Sequence, residues 1–145
     1  MVKMYVDGSY DHASGIYGFG IVAIYSSGEV DKYGGAGNAK KVTQIRNVAG
    51  EMLAAMHAVK LAIAKGYEKV KICYDYDGIR YWVTREWKAK NDLTIKYGDF
   101  MREMGNKIEI SFEKVTAHTG DAYNEMADSI AKSAVATLKE KLRKD

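Results

Sequence analysis

The chain has 145 residues, 47% hydrophobic and 28% charged, which suits one domain with its own core and excludes a disordered chain. Its apolar stretches are short and interrupted, and the N-terminus Met1-Val2-Lys3-Met4-Tyr5-Val6-Asp7 lacks the long apolar run of a signal peptide, so neither a membrane span nor secretion is expected. One cysteine excludes an internal disulfide and a cysteine-rich zinc site, and makes a reducing, cytoplasmic setting the expectation.

The net charge is +3, from 22 bases and 19 acids, but the last seven residues, Lys139 to Asp145, hold four bases and two acids. The rest of the chain is therefore nearly neutral, and bulk charge alone does not identify a nucleic-acid binder. Proline is absent, so the 14 glycines must supply most turns.

In chain order, Val2, Met4 and Val6 alternate with Lys3, Tyr5 and Asp7, the period of a strand. Asp-Gly-Ser-Tyr followed by Asp-His-Ala-Ser-Gly marks a turn. Residues Tyr17 to Tyr25 read as a second strand and Glu29 to Tyr33 as a third, with Gly34-Gly35-Ala36-Gly37-Asn38 expected to end it. The period then changes. Met52, Met56, Val59 and Ile63 fall at helical spacing among several alanines, with Asn47 placed to cap the start and Gly66 after the end. Lys69 to Asp75 reads as a strand, Gly78 to Trp87 as a short helix, Leu93 to Met104 as another, and Lys107 to Val115 as the last strand. A final helix is predicted from Tyr123 to Leu142, with Met126, Ile130, Ala134, Leu138 and Leu142 spaced by four. This order predicts an α/β fold: a mixed five-stranded sheet, with an antiparallel meander of strands 1–3, parallel strands 4 and 5, and helices packed on it.

Four acids stand in costly places. Asp7 and Asp75 each close an apolar strand, where propensity disfavours Asp. Glu51 is expected in the first turn of the alanine-rich helix, and Asp128 one turn inside the final one. If strands 1 and 4 are neighbours, Asp7 and Asp75 emerge together at the carboxyl edge where α/β sheets bind ligands. Carboxylates about 4 Å apart repel by roughly 4 kcal/mol per pair at an effective dielectric near 20, so protons or cations must relieve them. Oxygen-only donors point to Mg²⁺ or Mn²⁺, and two such ions can activate water and stabilise a leaving oxygen in phosphodiester cleavage. Each acid also has a plain reading: Asp7 in a turn, Glu51 favoured by a helix dipole, Asp75 ending a strand, Asp128 solvated.

Taken together, four segments carry a resemblance. Tyr5-Val6-Asp7-Gly8-Ser9, Asn47-Val48-Ala49-Gly50-Glu51-Met52-Leu53-Ala54, Tyr74-Asp75-Tyr76-Asp77-Gly78-Ile79 and His118-Thr119-Gly120-Asp121-Ala122-Tyr123-Asn124-Glu125-Met126-Ala127-Asp128 resemble type 1 ribonuclease H, in the right order and over nearly the whole chain. The most specific is the last, His-x5-Asn-x3-Asp entering a helix. The resemblance implies a ribonuclease H-like catalytic domain over residues 1–145. It implies an endoribonuclease that hydrolyses the RNA strand of RNA–DNA hybrids with little sequence preference, leaving 5′-phosphate and 3′-hydroxyl ends. Its implied cofactors are two Mg²⁺, with Mn²⁺ as substitute, and its implied partner is the hybrid duplex, with no membrane and no obligatory protein partner for a monomer. Asp7, Glu51, Asp75 and Asp128 match the metal-binding catalytic carboxylates, and His118 the mobile-loop histidine that assists proton transfer or product release. Asn47 matches a minor-groove contact. Gly8, Ser9, Gly50 and Asn124 are further candidate nucleic-acid contacts, as is Trp87, whose alternative is simple packing.

The sequence also departs from that pattern. Asp11-His12-Ala13-Ser14-Gly15 stands where relatives have an Asn-Pro-Gly turn, and Asp77, a carboxylate expected to repel phosphate, where many have Gln. Thr116-Ala117 replaces Lys-Gly before the histidine, and Arg85 to Asn91 replaces a long basic handle. Another nuclease of the same architecture, such as a junction resolvase or transposase core, and a non-catalytic hybrid-binding module stay open as alternatives.

Overall fold

The computed structural model describes residues 1–38, 46–116 and 122–144, and only the backbone of residues 46 and 47. Three strands come first: β1 (Val2–Asp11), β2 (Ile16–Ile24) and β3 (Val30–Asn38). They form an antiparallel meander, joined at Gly15 and Gly28, both at positive φ. After α1 (Arg46–Ala64), β4 (Lys69–Tyr74) pairs parallel with β1. Two helices, α2 (Gly78–Thr84) and α3 (Asp92–Met104), lead to β5 (Glu109–Lys114), parallel to β4, and α4 (Ala122–Lys144) ends the described chain. The sheet order is β3-β2-β1-β4-β5, which makes strands 1 and 4 neighbours in the mixed five-stranded sheet that the sequence pattern predicts.

Alternation along the strands sends side chains to two separate cores. Val2, Met4, Val6, Ile21, Val70 and Ile72 pack with Met52, Ala55 and Val59 of α1, and with Tyr97 and Met101 of α3. Tyr5, Val22 and Cys73 face the other way, toward Ala127 of α4. Helices therefore cover both faces. Each fully buried Met, Ile or Val side chain contributes about 1.5–3 kcal/mol of transfer free energy, which fixes the strand register against a slip by one residue.

Three boundaries differ from the sequence reading, each for a packing reason. β1 does not close at Asp7 but runs through the expected Asp-Gly-Ser-Tyr turn to Asp11, held by its pairing with β2 from Asp7 with Gly20 to Asp11 with Ile16. The run Gly34 to Asn38 continues β3 instead of ending it. Two glycines there are roofed by aromatic rings: a Cβ on Gly35 would lie 2.6 Å from the Phe19 ring, and one on Gly37 would lie 2.4 Å from the Tyr17 hydroxyl. Aromatic neighbours stabilise strand glycine by covering the backbone it leaves bare. Helix α2 stops at Thr84 because Arg85 takes a left-handed conformation (φ 70°), and the chain turns back so that the Trp87 N–H donates to the Tyr81 carbonyl. On α4 the buried stripe is Asn124, Ala127, Ala131 and Val135, while Leu142 is exposed. A strict four-residue spacing drifts by about 40° per step around a 3.6-residue helix, so the expected stripe cannot stay on one face. The sheet also selects small residues here. A Cβ on Gly20 would lie 2.2 Å from the Ala127 carbonyl oxygen, so α4 rests almost directly on the β2 backbone.

Candidate active site

Register alone sets the first pair of acids. Parallel pairing runs from Val2 with Val70 to Tyr5 with Cys73, and continuing it by two residues brings Asp7 opposite Asp75. Glu51 is delivered by close packing of α1. A Cβ on Gly8 would fall 2.4 Å from the Glu51 amide nitrogen, and one on Gly50 would fall 2.1 Å from the Gly18 carbonyl oxygen. Only glycine permits that approach at both positions. Because α1 begins at Arg46, Glu51 sits in its second turn, not its first, and Asn47 lies within the helix instead of capping it. The Glu51 Oε1 accepts from the backbone N–H groups of Asp75 (3.3 Å) and Tyr76 (3.4 Å), tying α1 to the end of β4.

Asp7, Glu51 and Asp75 each offer an oxygen within 4.8 Å of the other two. Like charges at that separation repel by about 3–4 kcal/mol per pair at an effective dielectric near 20. Burial adds to this: Asp7 and Glu51 are 8% and 3% exposed. Burial first, and then the charge of Asp75, push the Asp7 carboxyl up to about 8, against a 2.9 Å hydrogen bond donated by the Gly8 N–H that favours ionisation. Glu51 is held well above the usual carboxylate range by burial, then by the charges of Asp75 and Asp7. Such a cup wants protons or a cation. Its donors are carboxylate oxygens alone, and the one nearby thiol, Cys73, faces Glu113 on the opposite side of β4 from the α1 core. The donor set therefore fits a hard divalent cation.

Asp128 stands at the rim of the cup. Its carboxyl lies near enough to Asp7 for its charge to help raise that group, and it forms a 2.9 Å ion pair with Lys132 one turn along α4. The structure thus brings together all four acids singled out from sequence, three in a tight cluster and the fourth against Asp7. The Lys132 pairing was legible as an i,i+4 spacing but was not singled out.

The remaining candidates fall in several places. Gly8 and Ser9 continue β1 past Asp7, and Gly50 precedes Glu51 in α1. Asn124 is buried in the first turn of α4. Trp87 is 38% exposed, with ring centroids 5.5–5.9 Å from Tyr76, Tyr81 and Trp82. It therefore packs against the residue that follows Asp75 while keeping an open face. His118 and the side chain of Asn47 lie outside the described residues. Asp77, expected to repel phosphate, is neutralised instead: the Lys114 ammonium donates to it at 2.6 Å.

Comparison with known proteins agrees with this geometry. The RNase H family model matches residues 1–136. The chain is 26% identical to "Ribonuclease H" of Cyanothece, over 97% of this chain and 93% of that protein. It is 28% identical to "Ribonuclease HI" of Pseudomonas aeruginosa, over 94% and 95% respectively. Among solved structures, RNase H1 of the halophilic archaeon Halobacterium salinarum superposes with a TM-score of 0.79 at 21% identity, covering 94% of this chain and 98% of that one. LC11-RNase H1, solved in complex with RNA/DNA hybrid, superposes with a TM-score of 0.78 at 15% identity, covering 95% and 99%. At those identities the superpositions speak for the fold. The chain belongs to the ribonuclease H family.

Proposed function

We propose that this ribonuclease H is a one-domain endonuclease that hydrolyses the RNA strand of RNA–DNA hybrids with Mg²⁺, or Mn²⁺ in its place, leaving 5′-phosphate and 3′-hydroxyl ends. The observation that carries the reading is the convergence of Asp7, Glu51 and Asp75, with Asp128 against Asp7, at one end of the sheet. Four acids from four different elements do not meet in a half-buried cup for stability, since their mutual repulsion opposes folding.

Bound divalent cations would supply an activated water and neutralise charge on the phosphate and the departing 3′-oxygen. The chain's own residues prepare the place. Asp7 and Asp75 are held side by side by the parallel β1–β4 register. Glu51 is locked by the two backbone donors at the end of β4, so its carboxylate points into the cup without side-chain search. Asp7 and Glu51 must ionise to hold a cation, so cation uptake at neutral pH releases protons from them. His118 is proposed to move a proton or help release product. Selection of the hybrid requires contact with 2′-hydroxyls on one strand. Asn47, Asn124, Ser9 and the backbone at Gly8 and Gly50 are the groups we assign to the nucleic acid, with Trp87 offering an open aromatic face toward the second strand.

The test is direct. End-labelled hybrid, duplex DNA and duplex RNA of one sequence are incubated with the protein, with and without Mg²⁺. Cleavage of the RNA strand in the hybrid alone, dependent on the cation, is expected. Preference for duplex DNA would assign the chain to a different nuclease chemistry, and tight hybrid binding with no turnover would make it a binding module.

A further inference from the structure

A groove of about 720 Å³ runs away from the acids between the β1–β2 hairpin and the C-terminal half of α4. Ser9, Tyr10 and Leu142 form part of its wall, and Lys132, Lys139 and Arg143 line it from α4. None of the four acids lines it, but Lys132 on its wall pairs with Asp128 at the rim of the cup. Every base along it is held by an acid on the same surface: Lys132 by Asp128, Lys139 by Asp11 at 3.4 Å, Arg143 by Glu140 at 3.3 Å. These pairs are solvent-exposed, with base side chains 47% to 79% accessible, so each is weak and easily exchanged.

Resting on the reading above, we infer that this groove is a second binding segment for the hybrid, taking the phosphodiester backbone that continues from the cut site, with Lys139 and Arg143 as its phosphate contacts. Its ligand is a polyanion because the groove adjoins the cup that receives the scissile phosphate, and because three bases, Lys132, Lys139 and Arg143, line it against two acids, Asp11 and Glu140. Lys139 and Arg143 lie about 16 and 22 Å along the helix from Asp128, at roughly 1.5 Å per residue. One strand of a duplex carries about five to seven phosphates over that length, at roughly 3.4 Å each. The contribution is therefore confined to hybrids long enough to reach the distal bases. Neither residue touches the reacting atoms, so the groove acts on binding and leaves the chemical step alone.

The full chain is titrated into fluorescent hybrid without divalent cation, reading anisotropy across a salt series, with one hybrid extending ten pairs beyond the cut and one ending within three. Lys139→Gln/Arg143→Gln is expected to weaken binding of the long hybrid about five- to tenfold and lower the salt slope by about 1.5–2, with the short hybrid unaffected. In steady-state cleavage with Mg²⁺, its KM rises while kcat holds. Asp11→Asn breaks the same Lys139 pair but leaves the base free, and Glu140→Gln does so for Arg143. Both are expected to tighten long-hybrid binding about two- to threefold. If Asp11→Asn weakens binding as much as the double variant does, Lys139 only staples the hairpin and the inference is overturned. Equal salt slopes for all variants on the long hybrid overturn it as well. Failure of the wild-type chain to cut or bind any hybrid would instead defeat the reading on which it rests.

Discussion

The acid cup and the groove beside it carry the same kinds of charge under opposite physics. In the cup, Asp7, Glu51 and Asp75 are pressed within 4.8 Å of one another by glycine-mediated packing, two of them buried, with no base among the three. In the groove, Asp11 and Glu140 each have a lysine or arginine within 3.4 Å, exposed to solvent. Exposed pairs of that sort contribute about 0–1 kcal/mol, while unpaired buried carboxylates cost several. Function is marked by the arrangement that folding alone would not choose. The surface pairs are what a soluble helix ordinarily carries, and they gain interest only through their position next to the cup.

The contrast breaks most visibly at the acids themselves. Asp7→Asn or Asp75→Asn is expected to lower hybrid cleavage by at least about a thousandfold, worth ~4 kcal/mol of transition-state stabilisation. Turnover within tenfold of wild type in both would remove these residues from the site. The same Asp7→Asn change should make the cation-free protein more stable. Asp7 is raised in the folded state from 3.8 to about 8, so the native form binds the extra proton. Stability from this group is present below the unfolded value and is lost as pH rises toward about 8. Without divalent cation, chemical denaturation should therefore show wild type weakening between about pH 5 and 8, with Asp7→Asn gaining about 1–3 kcal/mol over it at pH 8. Adding Mg²⁺ should restore wild type and leave the variant unchanged. By the same sign, kcat/KM at limiting Mg²⁺ should climb from pH 6 to 8, and saturating Mg²⁺ should move that rise to lower pH.

Smaller effects sharpen the comparison. Gly50→Ala puts a methyl 2.1 Å from the Gly18 carbonyl oxygen, so α1 must retreat and carry Glu51 with it. A loss of about 1–3 kcal/mol in stability is expected, together with a fall in apparent Mg²⁺ affinity followed by calorimetry. Lys114→Gln removes the partner of Asp77 at the surface. Thermal melts should shift by no more than about 1 kcal/mol equivalent, while hybrid KM rises because an unneutralised acid then faces phosphate.

Much of this was legible from sequence because the informative signals are local. Strand alternation, the helical period of Met52 to Ile63 and the glycines after elements all come from backbone geometry within a few residues. Asp7 and Asp75 stood out because aspartate following an apolar strand run is locally unfavourable, although β1 in fact continues past Asp7 to Asp11. What sequence could not supply were contacts between distant elements. Gly34 to Gly37 looked like a terminator because the rings of Tyr17 and Phe19, which cover that strand, belong to another. Asp77 looked repulsive because Lys114, its partner, is on β5. His57 on α1 stacks on Phe19 of β2 at 4.8 Å, a contact no local pattern marks. The spacing of four along α4 announced the helix but not its buried face, since the sheet backbone it rests on favours Ala127 and Ala131 over the larger residues beside them.

The sheet order β3-β2-β1-β4-β5 sets Asp7 from the first strand beside Asp75 from the fourth, with Asp128 arriving on the last helix. A chain emerging from the ribosome carries Asp7, Glu51 and Asp75 before α4 has been made. The fourth acid joins them only when α4 has followed β5 and packed against β1 and β2.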